Sequence, residues 1–366
     1  MFWRSLRLVL GIAVFGALAF TAASDGPEGL VTVGVAEPHQ SAEYPTVIYP
    51  HSIVPRWDKR FLVERRPGWE KAHRPDTPLV NLYDSRGQKL MEARIWVPGA
   101  TSVGVLKAGA TEQGGVIAIG SAVMTTGRIA RYIAVTDPAG NTVQTVDTGT
   151  FAPRLVCSAP DGTAWVAGID FDKDRDKEDY SILRQYSFTA GLLREYIPRR
   201  TLPRYLVLSH GAPKDVLHCS KDRVALYLNP SHVHFELEPG DDAPRRWDVR
   251  PPRAPEGGRL HWGGTAMTEP GRLYANVVHA FPAGPTPPDH SCQRGIYELR
   301  KTDGQHASWE LVLSVNENST RTGDSRVGYL LGADGDSLVG VGHYLGRVVW
   351  VRPILGPAPV HTAARD

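Results

Sequence analysis

A turn signal that recurs about every 50 residues constrains this chain more than any other feature of its sequence. Its clearest copy is the segment 155–168, LVCSAPDGTAWVAG, which predicts a strand, a tight turn at Asp161 and Gly162, and a second strand. Comparable turns fall at positions 115, 162, 223, 271 and 335. The two longest intervals contain insertions at 170–179 and 281–294. The hairpin at 155–168 is therefore one copy of a repeat.

A second series of turns alternates with the first, at positions 87, 140, 191, 240 and 304. Two hairpins per repeat mean four short strands per repeat. No segment after the N-terminal 24 residues shows an apolar stripe of helical period. A period of 40–50 residues with four strands per unit is typical of a β-propeller, in which neighbouring blades cover each other's apolar faces. The sequence therefore predicts an all-β chain with propeller architecture.

The turn positions also predict how many blades there are and how the ring closes. The turn at position 335 is followed by only one strand, at 347–351, so the N-terminal strand at 30–36 is expected to supply its missing outer partner. Residues 44–65 would supply the inner hairpin for the turn at position 87. This reading gives six blades, with five or seven as alternatives.

The segment 152–168, APRLVCSAPDGTAWVAG, resembles the inner hairpin of NHL-like bacterial propellers. Ala152 and Pro153 lead into the strand, and Ala212 and Pro213 lead into the next repeat at the matching position. The resemblance implies a secreted bacterial propeller of the six-bladed type and does not imply a particular functional family. It also implies that loops between strands two and three of a blade lie on the same face as the loops between blades.

The N-terminus predicts export. Arg4 and Arg7 precede an uncharged, mostly apolar run at 8–20, and small residues follow it. We expect a signal peptide at 1–24 and a single propeller domain at 25–366, in the periplasm or outside the cell. An uncleaved anchor is the alternative. No later segment predicts a membrane span, and a net charge of +2 gives no reason to expect nucleic acid as a partner. A monomer is expected.

Three cysteines, at positions 157, 219 and 292, leave the redox state open. Cys157 and Cys219 lie in apolar strand contexts, which favours buried free thiols. A disulfide is the alternative, since an exported protein tolerates one.

The loops predicted to share one face are rich in arginine, and loops on a rigid scaffold commonly carry function. Guanidinium groups bind carboxylates and phosphates through paired hydrogen bonds. We therefore predict a binding or scaffolding module whose partner is a protein, a glycan or an anionic small molecule. The residues expected to contact it are Arg199, Arg200, Arg204, Arg246 and Arg253.

The acidic insertion at 170–179 is a candidate calcium loop, because carboxylates alternate along it as they do in known calcium sites. The candidate ligands are Asp170, Asp172, Asp174 and Asp176. Basic residues are interleaved with them, and Arg175 stands where a glycine normally permits the sharp bend. A solvated, self-neutralised loop is therefore favoured, and no cofactor is expected apart from this possible calcium ion.

Histidines suggest the alternative function, a propeller hydrolase or lyase with a metal- or histidine-centred site at the mouth of the channel. His218, His261 and His343 lie in or beside predicted inner strands, and His232 and His234 are expected to share one strand face. No specific catalytic motif accompanies them, and ordinary half-buried histidines are favoured.

Overall fold

The computed structural model describes residues 29–36, 56–66, 71–85, 88–172, 178–203, 215–252, 259–269, 271–280, 294–302, 304–315, 327–342 and 348–354. Apart from a short 3-10 helix at Arg199–Thr201, its regular structure is β-strand. The all-β prediction is confirmed. The described part of the chain contains no helix with the length and hydropathy of a membrane span.

The first strand, β1 (Gly29–Ala36), is followed along the chain by three antiparallel four-stranded sheets. One contains β2 (Arg56–Asp58), β3 (Phe61–Arg65), β4 (Val80–Tyr83) and β5 (Lys89–Ala93). The next contains β6 (Ala100–Ala110), β7 (Val116–Met124), β8 (Ile129–Thr136) and β9 (Thr142–Asp147). The third contains β10 (Phe151–Ser158), β11 (Ala164–Asp170), β12 (Ser181–Ser187) and β13 (Gly191–Pro198). In each, strands that are neighbours in sequence are also neighbours in space.

The following eight strands form one continuous sheet made of two such antiparallel groups. The first group contains β14 (Val216–Cys219), β15 (Val224–Leu228), β16 (Val233–Leu237) and β17 (Arg245–Arg250). The second contains β18 (Arg259–Met267), β19 (Leu273–Ala280), β20 (Arg294–Lys301) and β21 (His306–Val315). Their last strands, β17 and β21, pair in parallel, with Asp248 opposite His306. This pairing covers two edges that would otherwise be exposed, and the sequence did not predict it.

The last sheet joins the two ends of the chain. It contains β22 (Val327–Asp334), β23 (Ser337–Gly342) and β24 (Val348–Ile354), and β1 pairs with β24 from Gly29 opposite Ile354 to Ala36 opposite Val348. The sequence predicted this pairing of the N-terminal strand with the last strand.

The first strand of each group lies innermost, and these strands form a ring. Strand β2 contacts β6, β6 contacts β10, β10 contacts β14, β14 contacts β18, β18 contacts β22, and β22 contacts β2. The two series of turns join first to second strands and third to fourth strands, as predicted. Gly162 and Gly140 adopt positive φ angles of 80° and 85° in these turns, a conformation that favours glycine. Four-stranded antiparallel sheets around a central cavity fit a β-propeller.

Apolar side chains are buried between neighbouring sheets. The cluster between the third sheet and β14–β17 includes Trp165, stacked on Tyr196 at 5.5 Å between ring centroids. A second cluster brings Trp309 against Tyr227, whose hydroxyl accepts a hydrogen bond of 3.2 Å from the indole Nε1. Burial of apolar surface contributes about 25 cal/mol per Å² removed from water. Each sheet therefore depends on its neighbours for its stability.

The expectation of buried free thiols at Cys157 and Cys219 is wrong. The two residues form a disulfide with a Cα–Cα distance of 5.7 Å. Cys157 lies on β10 and Cys219 on β14, which are adjacent innermost strands. Both cysteines are buried, as predicted, but the ring brings them together across a sequence separation of 62 residues. The bond therefore ties two neighbouring sheets to each other.

Candidate functional site

The innermost strands enclose a central cavity of about 770 Å³. Parts of β2, β6, β10, β14, β18 and β22 all line it, together with the turns that follow these strands. Such a volume suits a small-molecule ligand. The wall is apolar at positions such as Leu155, Val156 and Leu331, and charged residues of both signs also line it. The charged residues from β2, β3, β6 and the segment just before β14 are Arg56, Asp58, Arg65, Lys107 and Asp215.

Three cations from the first two sheets lie together in this cavity; we call Arg56, Arg65 and Lys107 the cationic centre. Arg56 reaches across the cavity and donates to the carbonyl oxygens of Val156 at 3.3 Å and Leu217 at 3.0 Å. Arg65 donates to the carbonyl of Val105 at 3.0 Å. The two acceptors of Arg56 are neutral, so they satisfy its N–H groups without cancelling its charge.

Lys107 stands beside an irregularity in the pairing of β6 with β7, where the register shifts between Val105 and Lys107. Such bulges redirect side chains. No hydrogen bond or ion pair links its ammonium group to another described residue. Burial, followed by the charges of Arg56 and Arg65, lowers the pKa of Lys107 to about 8, and Asp215 opposes this shift.

His218 on β14 also lines the cavity, and its Nε2 atom is buried without a hydrogen-bond partner among the described residues. Burial lowers the pKa of His218 to about 4, while the nearby carboxylate of Asp58 acts in the opposite direction. The Asp58 carboxylate accepts a hydrogen bond of 3.1 Å from the backbone N–H of Ala110. His218 is therefore neutral at pH 7 and presents an unsatisfied ring nitrogen.

A second cationic group lies where the second and third sheets meet. Arg154 occupies a bulge in β10, where the register with β11 shifts between Pro153 and Leu155, and its Nε is buried without a partner in the described part of the chain. Burial and then the charge of Arg131 on β8 lower the pKa of the Arg154 guanidinium.

Phe171 completes this group, which we call the basic surface: Arg131, Arg154 and Phe171. The Arg131 guanidinium lies 5.2 Å from the Phe171 ring centroid and donates to the carbonyl of Gly149 at 3.3 Å. The Phe171 ring is 49% exposed. Its backbone N–H donates to the carbonyl of Thr150 at 3.1 Å, so the inter-sheet loop at 148–150 and the loop that begins at 171 lie together. We call this side of the sheets the loop face.

The arginines predicted to contact a ligand have different environments. Arg199 is buried and donates to the carbonyl of Leu202 at 3.1 Å, whereas Arg200 is exposed. Arg246 donates to Asp248 at 2.8 Å and to the carbonyl of Thr201 at 2.7 Å. Arg204 and Arg253 lie outside the described residues. Ligand contact by this set stays a prediction.

Two of the four predicted calcium ligands are described. The side chain of Asp170 is 6% exposed and accepts a hydrogen bond of 3.0 Å from Arg184, and its other oxygen accepts one of 3.1 Å from the backbone N–H of Asp172. Burial raises the pKa of Asp170, but hydrogen bonds from Thr150, Arg184 and Asp172 outweigh it, so the pKa is lowered overall. Asp174 and Asp176 lie outside the described residues, and the calcium site stays a prediction.

The histidine pair at positions 232 and 234 does not share a strand. His232 lies in the turn before β16 with a φ of 49°, and His234 is fully buried within β16, 3.1 Å from a carboxylate oxygen of Glu236. Burial raises the pKa of Glu236, but hydrogen bonds from His234 and Lys301 outweigh this effect, and the pKa of Glu236 is lowered to about 2. The side chains of His261 and His343 lie outside what is described, so their convergence on the channel stays a prediction.

The sequence interpretation missed both cationic groups. Lys107 and Arg154 each interrupt a strand of apolar and small residues, VGVLKAGA and FAPRLVCS, and a cation in such a place is a usable signal. Arg56 and Arg65 lie in the segment whose turns and strands were least regular in sequence. No local sequence pattern indicated that Arg56 and Arg65 would lie beside Lys107, or that Arg154 would belong to a separate group.

No family model and no curated protein matches this sequence. Solved structures with a similar fold include a protein from Bacteroides fragilis NCTC 9343 that is named as exported, with a TM-score of 0.49, 7% identity, and coverage of 88% of this chain and 95% of that one. The Dos1 propeller has a TM-score of 0.37 and 9% identity, with coverage of 80% of this chain and 75% of that one. A xylan β-1,4-xylosidase from Bacillus halodurans C-125 has a TM-score of 0.40 and 14% identity, with coverage of 71% of this chain and 54% of that one. None of these similarities assigns an activity.

Proposed function

We propose that the protein is an exported β-propeller of six blades that binds an acidic protein segment on its loop face, at the basic surface. The observation that carries this proposal is that neither Arg131 nor Arg154 forms an ion pair with a carboxylate among the described residues. Two neighbouring guanidinium groups without counter-charges repel each other, and an incoming carboxylate would relieve that repulsion.

The exposed ring of Phe171 adds an apolar contact beside the two charges. Aromatic and arginine side chains are enriched where binding free energy is concentrated in interfaces. The ring already lies against the Arg131 guanidinium, so both groups are held in place before a partner arrives. A segment carrying carboxylates next to an apolar side chain complements this surface better than a purely polyanionic chain does.

Export and the blade count rest on separate observations. The apolar N-terminal run fits a signal peptide, and a Cys157–Cys219 disulfide fits an oxidising compartment. The six innermost strands that line the cavity, with β1 as the outer strand of the last sheet, support six blades.

Fluorescence anisotropy with a labelled peptide of Asp-Glu-Phe repeats tests the proposed function. We expect the wild-type protein to bind this peptide, and an Arg131→Ser, Arg154→Ser double variant to bind it at least about tenfold more weakly, because charge-assisted hydrogen bonds are lost. Binding should also weaken as salt is added, because exposed charges are screened.

Arg128→Ser is the matched control. Arg128 precedes β8 on the same face, but its guanidinium is 2.8 Å from the carboxylate of Asp147, so its charge is already compensated. We expect this variant to bind like the wild type. Equal affinity for the double variant and the wild type, or equal binding of an Asn-Gln-Phe peptide, would contradict the proposal.

A further inference from the structure

The cationic centre lies inside the ring of innermost strands and shares no residue with the basic surface of the loop face. Arg56 and Lys107 form no ion pair with a carboxylate of any described residue. Asp215 is the one described anion that stabilises the charge of Lys107, and its carboxylate accepts a hydrogen bond of 2.9 Å from the backbone N–H of Asn229. Positive charge therefore exceeds negative charge around Lys107.

Arg56 and Lys107 are half-buried, and removing such charges from water even in part is costly unless an anion accompanies them. Arg56 uses one N–H on each of two carbonyl oxygens, which leaves further N–H groups of its five available to a ligand. His218 adds a buried Nε2 without a partner on the same cavity wall. The part of this cavity around Arg56 and Lys107 therefore combines an unsatisfied ring nitrogen with two cations that lack a carboxylate partner among the described residues, and these are the properties of an anion site.

We propose that the central cavity binds a small carboxylate- or phosphate-bearing molecule between the guanidinium of Arg56 and the ammonium of Lys107. In its neutral state, His218 can donate from Nε2 to a second oxygen of that molecule, with the proton on Nε2 fixed by the ligand itself. The apolar wall at Leu155, Val156 and Leu331 accommodates the uncharged part of an organic acid. This site is separate from the one on the loop face and does not depend on it.

Ligand binding should be linked to proton uptake by Lys107. The charged groups that act on Lys107 are Arg56 from β2, Arg65 from β3 and Asp215 from the segment before β14. A bound anion stabilises the ammonium form, so it raises the pKa of Lys107 from about 8. Above pH 8 the free protein carries a partly neutral amine, and binding must add a proton. The apparent affinity should therefore fall as the pH rises above 8.

Isothermal titration calorimetry with phosphate, citrate and succinate, at low ionic strength, tests the proposal. We expect at least one of these anions to bind with one-to-one stoichiometry. Repeating the titration at pH 8.5 in buffers of different ionisation enthalpy should show proton uptake, and Lys107→Met should weaken binding at least about tenfold and abolish that uptake. Absence of binding by all three anions, or binding that Lys107→Met leaves unchanged, would overturn the proposal.

Lys89→Met is the matched control, because Lys89 is exposed and lies 2.6 Å from Glu92, outside the cavity. We expect it to bind the anion like the wild type. A measurement on the unmodified protein covers the case in which Lys107→Met does not fold. The pH dependence of Lys107 acetylation by acetic anhydride, read by mass spectrometry, should have a midpoint near 8 that moves upward when the bound anion is present. A midpoint that does not move would reject anion binding at Lys107.

Discussion

Arg184 on β12, which is buried, and Lys107 on β6, which is half-buried, differ in whether carboxylates compensate their positive charge. Arg184 lies 3.0 Å from a carboxylate oxygen of Asp170 and 2.8 Å from one of Glu195, and its guanidinium stacks 4.0 Å from the Phe151 ring centroid. Lys107 has no carboxylate at such a distance among the described residues. The charge of Arg184 is therefore compensated by carboxylates of its own sheet, whereas no described carboxylate pairs with Lys107.

This difference separates structural charges from candidate binding groups. Arg184 links Asp170 at the end of β11 to Glu195 on β13, so it holds three strands of one sheet together. Removing it would leave carboxylates without their counter-charge. The charge of Lys107 is unfavourable in the folded protein, because Lys107 is partly desolvated and lies beside the like charges of Arg56 and Arg65. Opposite signs of the stability change on mutation therefore distinguish the two environments.

The largest expected effect is at Arg184. We expect Arg184→Met to lower the free energy of unfolding by about 3–5 kcal/mol, because it leaves the buried carboxylate of Asp170 without its ion pair. Urea denaturation measures this. Arg128→Met, which breaks an exposed pair with Asp147, should change the same quantity by less than about 1 kcal/mol. Similar losses in both variants would show that the Arg184 pair is no more important than a surface pair.

The disulfide next to this region should have the second-largest effect. We expect a Cys157→Ala, Cys219→Ala double variant to lose about 2–4 kcal/mol, because the bond restricts a long loop of the unfolded chain. Thermal unfolding with and without dithiothreitol measures this loss. The reductant should lower the wild-type melting temperature and leave that of the variant unchanged, and a variant that still responds would point to a different stabilising bond.

Replacing Lys107 should change stability in the opposite direction. At pH 7 we expect Lys107→Met to raise the free energy of unfolding by about 1–3 kcal/mol. The folded pKa of about 8 lies below the unfolded value of ~10.4, so the cost of the ammonium is complete below pH 8 and disappears above pH ~10.4. The advantage of the variant should shrink over that range in urea titrations. A loss of stability at pH 7 would mean that Lys107 has a structural partner.

The smallest expected effect concerns Asp170, the carboxylate partner of Arg184, and how its contribution to stability depends on pH. Because the pKa of Asp170 is lowered in the folded protein, its contribution is present above the unfolded pKa of ~3.9 and is lost as the pH falls through the folded value. Asp170→Asn should cost about 1–2 kcal/mol at pH 7, and this cost should decrease as the pH falls below ~3.9. A cost that does not depend on pH would mean that the ionised form of Asp170 contributes nothing.

The sequence alone was sufficient for the repeat and the pairing of its strands. Turns at Gly140 and Gly162 require backbone conformations that glycine adopts readily, and short apolar strands between such turns pair with their neighbours along the chain. These are local constraints. The N-terminal strand could be assigned to the last sheet by counting strands, because the last repeat lacked one.

Only the tertiary structure decided the contacts between residues that are distant in sequence. The disulfide, the parallel pairing of β17 with β21, and the grouping of Arg56 with Lys107 all depend on which sheets become neighbours and on how each sheet is rotated about the ring. No local sequence preference encodes these distances. The apolar neighbours of the cysteines therefore suggested free thiols, and the sequence did not identify Lys107 as a candidate binding residue. A charged residue becomes a candidate binding residue when the fold places no opposite charge beside it. Whether this happens depends on how all the sheets are arranged around the ring.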